Sequence, residues 1–118
     1  MDRIVELGRL MDYYGALLTE RQQRMLGQAV NEDLSLSEIS EREGMTRQGV
    51  RDAILHGEQQ LRLYESVLHL VERSARMQKR IALLTEAIEN AQLSDEEKQR
   101  LFDRVNAVTA VWEEEDGV

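Results

Sequence analysis

A signal for the start of a helix recurs at short intervals between residues 19 and 63. Thr19 and Gln22 have the spacing of a capping box, in which the hydroxyl accepts from the amide three residues on and the longer side chain reaches back. Ser35 and Glu38 repeat this spacing, and the chain contains no proline to interrupt the helices that follow. These signals predict a series of short helices rather than strands.

A tight turn is expected after the second of these helices. Gly44 can adopt a left-handed backbone at no steric cost, and Thr46 can cap a further helix directly after it. Apolar residues on both sides of this turn have the spacing of two crossed helices that share a core. They are Leu36, Ile39, Met45, Val50 and Ile54. This pattern predicts a helix-turn-helix, which is more typical of a regulator or adaptor than of an enzyme.

Helical periodicity also flanks this motif. Upstream, residues 2–14 predict a first helix that is closed by Gly15. Downstream, apolar residues recur at alternating spacings of three and four, as in a heptad repeat. This stripe consists of Leu63, Val67, Leu70, Ser74, Met77, Ile81, Leu84, Ile88 and Ala91. The pattern fits one long helix, or two helices with a break near Ser74.

Ser94 and Glu97 form a third capping box and predict a last helix. Its apolar residues again follow a heptad seam, which consists of Leu101, Val105, Val108 and Trp112. A short connection precedes this helix. The region from residue 75 to residue 112 therefore predicts an antiparallel helical hairpin or a dimerisation arm.

Together these elements predict an all-α fold. We expect a helix-turn-helix domain at residues 1–72, an amphipathic helical extension at 73–114 and an acidic tail at 115–118. Two heptad seams in so short a chain have little to bury against except a second copy, so a homodimer is expected. The predicted interface residues are Met77, Ile81, Leu84, Ile88, Leu101, Val105, Val108 and Trp112.

The composition argues against several other classes of protein. Without cysteine there is no disulfide framework and no thiolate metal site, and His56 and His69 lack a second ligand at helical spacing. No nucleophile motif or glycine-rich phosphate loop is present, so we expect neither an enzyme nor a cofactor. No apolar run is long enough for a membrane span, and the first residues do not resemble a signal peptide. A cytoplasmic protein without membrane contact is expected.

The second helix of the motif carries the candidates for DNA binding. They are Thr46, Arg47, Gln48 and Arg51. Arginine can read guanine, glutamine can read adenine, and a capped helix N-terminus can hold a phosphate. Charge opposes this reading, because residues 1–70 hold 8 basic and 12 acidic side chains, and Asp52 would repel a phosphate. In the alternative reading Thr46 is only a cap and the two arginines are solvated.

The clearest cluster of positive charge lies further along the chain. It consists of Arg73, Arg76, Lys79 and Arg80, and the three arginines share one face of a helix. Such a face could follow the phosphate backbone of RNA. In the alternative reading it is a solvated face that pairs with Glu72 and with acidic residues of the last helix.

The sequence also resembles known families. Residues 18–61 resemble the promoter-reading C-terminal region of bacterial sigma factors. Residues 4–92 are more closely similar to the YlxM family of small bacterial helix-turn-helix proteins, most specifically at Tyr13–Thr19 and Thr46–Val50. Members of that family are encoded beside components of the signal recognition particle. The resemblance therefore implies a role in that pathway, and the fold implies nucleic-acid binding through the recognition-helix positions named above.

Three hypotheses of function remain open. The first is an accessory protein of the signal recognition particle pathway that binds the particle's RNA or protein. The second is a DNA-binding transcriptional regulator. The third is a protein-only adaptor that has lost contact with nucleic acid, which suits the net charge of −8 best.

Overall fold

The computed structural model describes residues 2–113. This part of the chain is all-α, as predicted, and the expected tail at 115–118 lies outside it. The helices are α1 (Arg3–Tyr14), α2 (Glu20–Val30), α3 (Leu36–Glu43), α4 (Arg47–Leu68), α5 (Leu70–Glu89) and α6 (Asp95–Glu113), with a 3₁₀ turn at Gly15–Leu17. They form two compact units, one that runs to Arg73 and one that begins at Ser74.

All three predicted capping boxes form. In the first, Gln22 N–H donates to the Thr19 hydroxyl at 3.2 Å, and the Gln22 side chain accepts from Thr19 N–H at 3.1 Å. Ser35 and Ser94 make the same reciprocal bonds with the glutamates three residues further on. Local hydrogen bonding therefore begins each of these helices where the sequence places it.

The first unit has a core in two parts that share α2. One part consists of Leu7, Leu10, Tyr14, Leu18, Leu26 and Leu61. The other consists of Met25, Ile39 and Val50. Met25 and Leu26 are neighbours in sequence and both are fully buried, so successive residues of α2 serve the two parts. Because α2 presents apolar side chains to both parts of the core, helices α1, α3 and α4 all pack against it.

Gly57 lies where α4 packs against Leu26 of α2. A Cβ atom placed on it would lie 2.6 Å from Cδ1 of Leu26, a side chain that is itself fully buried. From the sequence alone, Gly57 is expected only to weaken its helix slightly. The tertiary structure shows that a side chain at this position has no room.

The long amphipathic stretch is two helices, and the break lies at His69 rather than near Ser74. His69 adopts a left-handed backbone with φ of 56°. The Glu65 carboxylate accepts from the N–H groups of Val71 and Glu72 at 3.0 and 3.1 Å, and so caps the start of α5. Tyr14, from α1, accepts from Leu70 N–H at 3.0 Å and donates to Glu65 at 2.5 Å.

This break ends the continuous heptad stripe expected from the sequence. Leu70 packs against the first core, but Leu63 and Val67 are 54% and 69% exposed. The reason is that a left-handed residue changes the direction of the helix axis, so that residues before and after it no longer share one face. The heptad prediction is therefore wrong across residues 63–70.

The second unit is an antiparallel hairpin of α5 and α6. Near its open end the Trp112 indole N–H donates to the Ser74 hydroxyl at 2.9 Å, and Ser74 is buried. Near the connection the Lys98 ammonium donates to the Glu89 carbonyl at 2.8 Å. Ile88 and Val105, which the sequence predicts to lie in a dimer interface, are buried within the single chain.

Candidate nucleic-acid interface

The position of α4 relative to α3 is set by a small group of buried side chains. Ile39 on α3 and Val50 on α4 are both fully buried against Met25 of α2. Three side chains packed without exposed surface leave little freedom for either helix to rotate. The first turns of α4 are therefore held in a constant orientation, as a recognition helix requires.

The turn between the two helices is also held by hydrogen bonds. Gly44 ends α3 with φ of 64°, the left-handed conformation that the sequence predicts. The Ser40 hydroxyl donates to the Met45 carbonyl at 2.5 Å, which ties α3 to the turn. The Thr46 hydroxyl then accepts from Gly49 N–H at 3.0 Å and caps α4. Hydrogen bonds thus fix both the end of α3 and the start of α4.

The four candidates for DNA binding lie together at the exposed start of α4. Thr46, Arg47, Gln48 and Arg51 are all exposed. The Gln48 amide donates to the Asp52 carboxylate at 2.9 Å, so these two side chains are hydrogen-bonded to each other. Within residues 2–112, neither Arg47 nor Arg51 forms an ion pair. The two arginines are therefore the unpaired cations at the start of α4.

The acidic side chains of α3 are largely engaged by the protein itself. Glu43 accepts from Arg24 at 3.1 Å and from Gln28 at 3.0 Å, and these hydrogen bonds lower its pKa. Glu38 accepts from Ser35 in the capping box, and that bond lowers the pKa of Glu38. Of these acids only Glu43 is paired with a cation, and because Arg24 is already in the charge count the net charge of residues 1–70 stays negative.

Sequence reasoning did not find Arg24 and Gln28. Their bonds to Glu43 join residues 19 and 15 positions apart, on two different helices. No local spacing signals such a contact, because it depends on how α2 crosses α3. Arg42 of α3 pairs with Glu32, before the start of α3, at 3.1 Å.

The four basic residues of α5 are called the basic row here. They are Arg73, Arg76, Lys79 and Arg80, and all four are exposed. No ion pair involves any of them in the described part of the chain. Glu72, a proposed partner, lies 3.4 Å from His69 instead. The pairing with Glu72 that the alternative reading proposes is thus not formed, and the four cations are exposed to solvent.

The described residues show no competing type of site. Between residues 2 and 112, no group of three or more histidine, aspartate or glutamate side chains is placed to hold a metal ion. In the same range no helix has the length and apolar character needed to cross a membrane.

A family model described as "Putative helix-turn-helix protein, YlxM / p13 like" matches residues 1–105. The chain belongs to this family, UPF0122. The match extends from α1 into α6, so it includes both the α3–α4 motif and the basic row. The resemblance to the YlxM family is confirmed.

Relatives in UPF0122 are similar over most of the chain. A UPF0122 protein of Clostridium botulinum is 40% identical over 98 residues, which cover 82% of this chain and 90% of the relative. A UPF0122 protein of Clostridium perfringens is 33% identical over 109 residues, covering 92% and 97%. One from Desulforamulus reducens is 47% identical over 73 residues, covering 62% of each chain.

Proposed function

We propose that this UPF0122 protein is a non-enzymatic accessory protein of the signal recognition particle pathway that binds the particle's RNA. The observation that carries the RNA contact is the basic row, four exposed cations within about two helical turns that lack an ion pair in residues 2–112. The pathway is inferred from the likeness to the YlxM family. A cytoplasmic location follows from the same proposal.

Charge supports an RNA contact at this place. Residues 73–80 hold four basic side chains and no acidic one, in a chain whose net charge is −8. Arg73 and Arg80 are seven residues apart, which is about 10 Å along a helix. Exposed cations at that spacing can neutralise more than one phosphate and release counterions from the RNA.

Binding of duplex DNA by α3 and α4 is the second candidate function. It is favoured by Arg47 and Arg51, which are exposed at the start of α4 and form no ion pair in residues 2–112, and by the pairing of Glu43 with Arg24. The first two turns of α4 carry only these two cations, and Asp52 lies beside them. We therefore place DNA binding after RNA binding.

Titration of the purified protein against signal recognition particle RNA and a generic DNA duplex, at about 50 and 200 mM salt, tests both candidates. Three phosphate contacts, one from each arginine of the basic row, should cost roughly 20- to 40-fold in RNA affinity across this range. Replacing Arg73, Arg76 and Arg80 together by alanine should abolish most of that dependence. The matched variant in α4, Arg47→Ala with Arg51→Ala, should leave RNA binding unchanged.

Other outcomes assign the function differently. Duplex binding that is lost in the α4 variant but not in the α5 variant would favour the DNA-binding regulator. Absence of binding to either nucleic acid at 50 mM salt would contradict both candidates. The protein-only adaptor would then remain, and its affinity for a partner should respond little to salt.

A further inference from the structure

The hairpin of α5 and α6 has an apolar groove on one face. Its volume is about 480 Å³, and its walls include Met77, Ile81 and Ala82 on α5 and Val108 and Trp112 on α6. The indole N–H of Trp112 is already bonded to Ser74, so the ring requires no further polar partner. The groove is therefore a surface that is unfavourable to leave in water.

Two helices cannot enclose a core between them. Among residues 74–112 of the second unit only Ser74, Ile88 and Val105 are buried, whereas Leu101, Val108 and Val111 of α6 remain exposed. A helix stripe is stabilised when a further layer covers it. The groove thus lacks one layer within the hairpin.

We propose that a second copy of this chain covers the groove, with the two α5 helices antiparallel and crossing near Ala82. Ala75, Lys79, Ala82 and Glu86 are spaced by four, three and four residues and form one stripe along α5, at the edge of the groove. The two alanines allow a close approach of backbones. The resulting contact is isologous, and each hairpin lies in the groove of the other.

The charges on this stripe favour a second copy over an unrelated partner. Lys79 and Glu86 are both exposed, and neither forms an ion pair in the described range. They lie three residues before and four residues after Ala82. An antiparallel copy that crosses there brings Lys79 beside the partner's Glu86, and symmetry repeats the pair. A surface that carries a positive and a negative charge in this order is therefore complementary to the same surface of a second copy.

The size of the face follows from the part of α5 that lies in the hairpin. Residues 74–89 extend over about 24 Å, and two packed helices are about 20 Å wide. Their common face is thus about 480 Å² in projection, more than half of the 800 Å² or so that each partner buries in a stable interface, and the walls of the groove add surface that a flat projection omits. In this arrangement Lys79 is engaged in the dimer, and the three arginines of the basic row, on an adjoining face of α5, stay free for RNA.

Sedimentation equilibrium of the full chain with three charge variants tests the proposal. The wild type should be dimeric at tens of micromolar protein. Lys79→Glu and Glu86→Lys should each raise the dissociation constant roughly ten- to hundredfold, because each places two like charges in contact. The double variant, with both changes, should recover most of the wild-type affinity. Circular dichroism checks that every variant remains helical.

Arg80→Glu is the matched control. It makes the same change in charge one residue away, on the face that the arrangement leaves free, and should not alter the dissociation constant. A wild type that is monomeric at these concentrations overturns the proposal, and so does a double variant as weak as the single ones. Trp112 is the only tryptophan of the chain, and its emission should shift to shorter wavelength as the dimer forms.

Discussion

The two units of this chain differ in how completely they bury their apolar side chains. In the first, the side chains with almost no exposed surface are Tyr14, Met25, Leu26, Ile39, Leu61 and Val50. In the second, the best-buried apolar residues, Ile88 and Val105, keep 7% and 9% of their surface, and Val111 is 72% exposed. The first unit packs α1, α2, α3 and α4 into a closed core, whereas the second has two helices and an open face.

Because of this difference the two units are suited to different tasks. A closed core holds α4 in one orientation, which suits a surface that must present fixed side chains. An open hairpin is stabilised further only by something that covers it, which suits association. The predictions below test whether the two units differ in stability as their burial implies.

The largest effect is expected from Leu26→Ala. Leu26 is fully buried in the core of the first unit, so the substitution should cost about 3 kcal/mol of unfolding free energy. Ile88→Ala should cost clearly less, because the open hairpin can close over the space. Urea unfolding followed by circular dichroism measures both. Equal costs for the two variants would contradict the comparison.

A smaller effect is expected at the start of α5, where Tyr14 and Glu65 hold the break at His69. Tyr14→Phe removes the acceptor of Leu70 N–H and the donor to Glu65, and should cost about 1–2 kcal/mol. Tyr64→Phe is the control, because Tyr64 packs against the same core without this bond. The urea midpoint of Tyr14→Phe should be lower than that of Tyr64→Phe.

The same contact predicts a dependence on pH. Burial alone raises the pKa of Glu65, but the hydrogen bonds from Tyr14, Val71 and Glu72 outweigh it and hold the pKa below its ordinary value of 4.5. A carboxyl with a lowered folded pKa stabilises the protein above its unfolded pKa, and this contribution is lost as pH falls through the folded value. The stability difference between wild type and Glu65→Gln should therefore be constant from pH 7 to about 5 and shrink below 4.5. A difference that does not change with pH would show that the Glu65 charge contributes nothing.

The smallest effects are expected at two glycines. Gly57→Ala should destabilise by about 1 kcal/mol, because the clash with Leu26 exceeds the gain in helix propensity. Gly27→Ala should stabilise by up to about 1 kcal/mol, because no atom lies within 4 Å of its added methyl group. Thermal melts of the two variants should move in opposite directions. A shift of the same sign in both would mean that the close approach at Gly57 is relieved at little cost.

Much of the local structure follows from neighbouring residues. The capping boxes at Thr19, Ser35 and Ser94, the left-handed turn at Gly44 and the cap at Thr46 all form as the sequence predicts. Each depends on groups no more than five residues apart, so the chain specifies it without reference to the rest of the fold. The same locality places the four DNA-binding candidates together at the start of α4.

Contacts between distant segments decided what the sequence alone does not show. The break at His69 depends on Tyr14, a residue 55 positions earlier. The lack of space at Gly57 depends on how α4 packs against α2. The ion pair of Glu43 depends on Arg24 of another helix. Sequence periodicity predicts the helices and their apolar faces because these arise from the regular geometry of one helix. Which apolar residues are enclosed and which stay exposed depends on how many helices surround them, and that is a property of the packed chain.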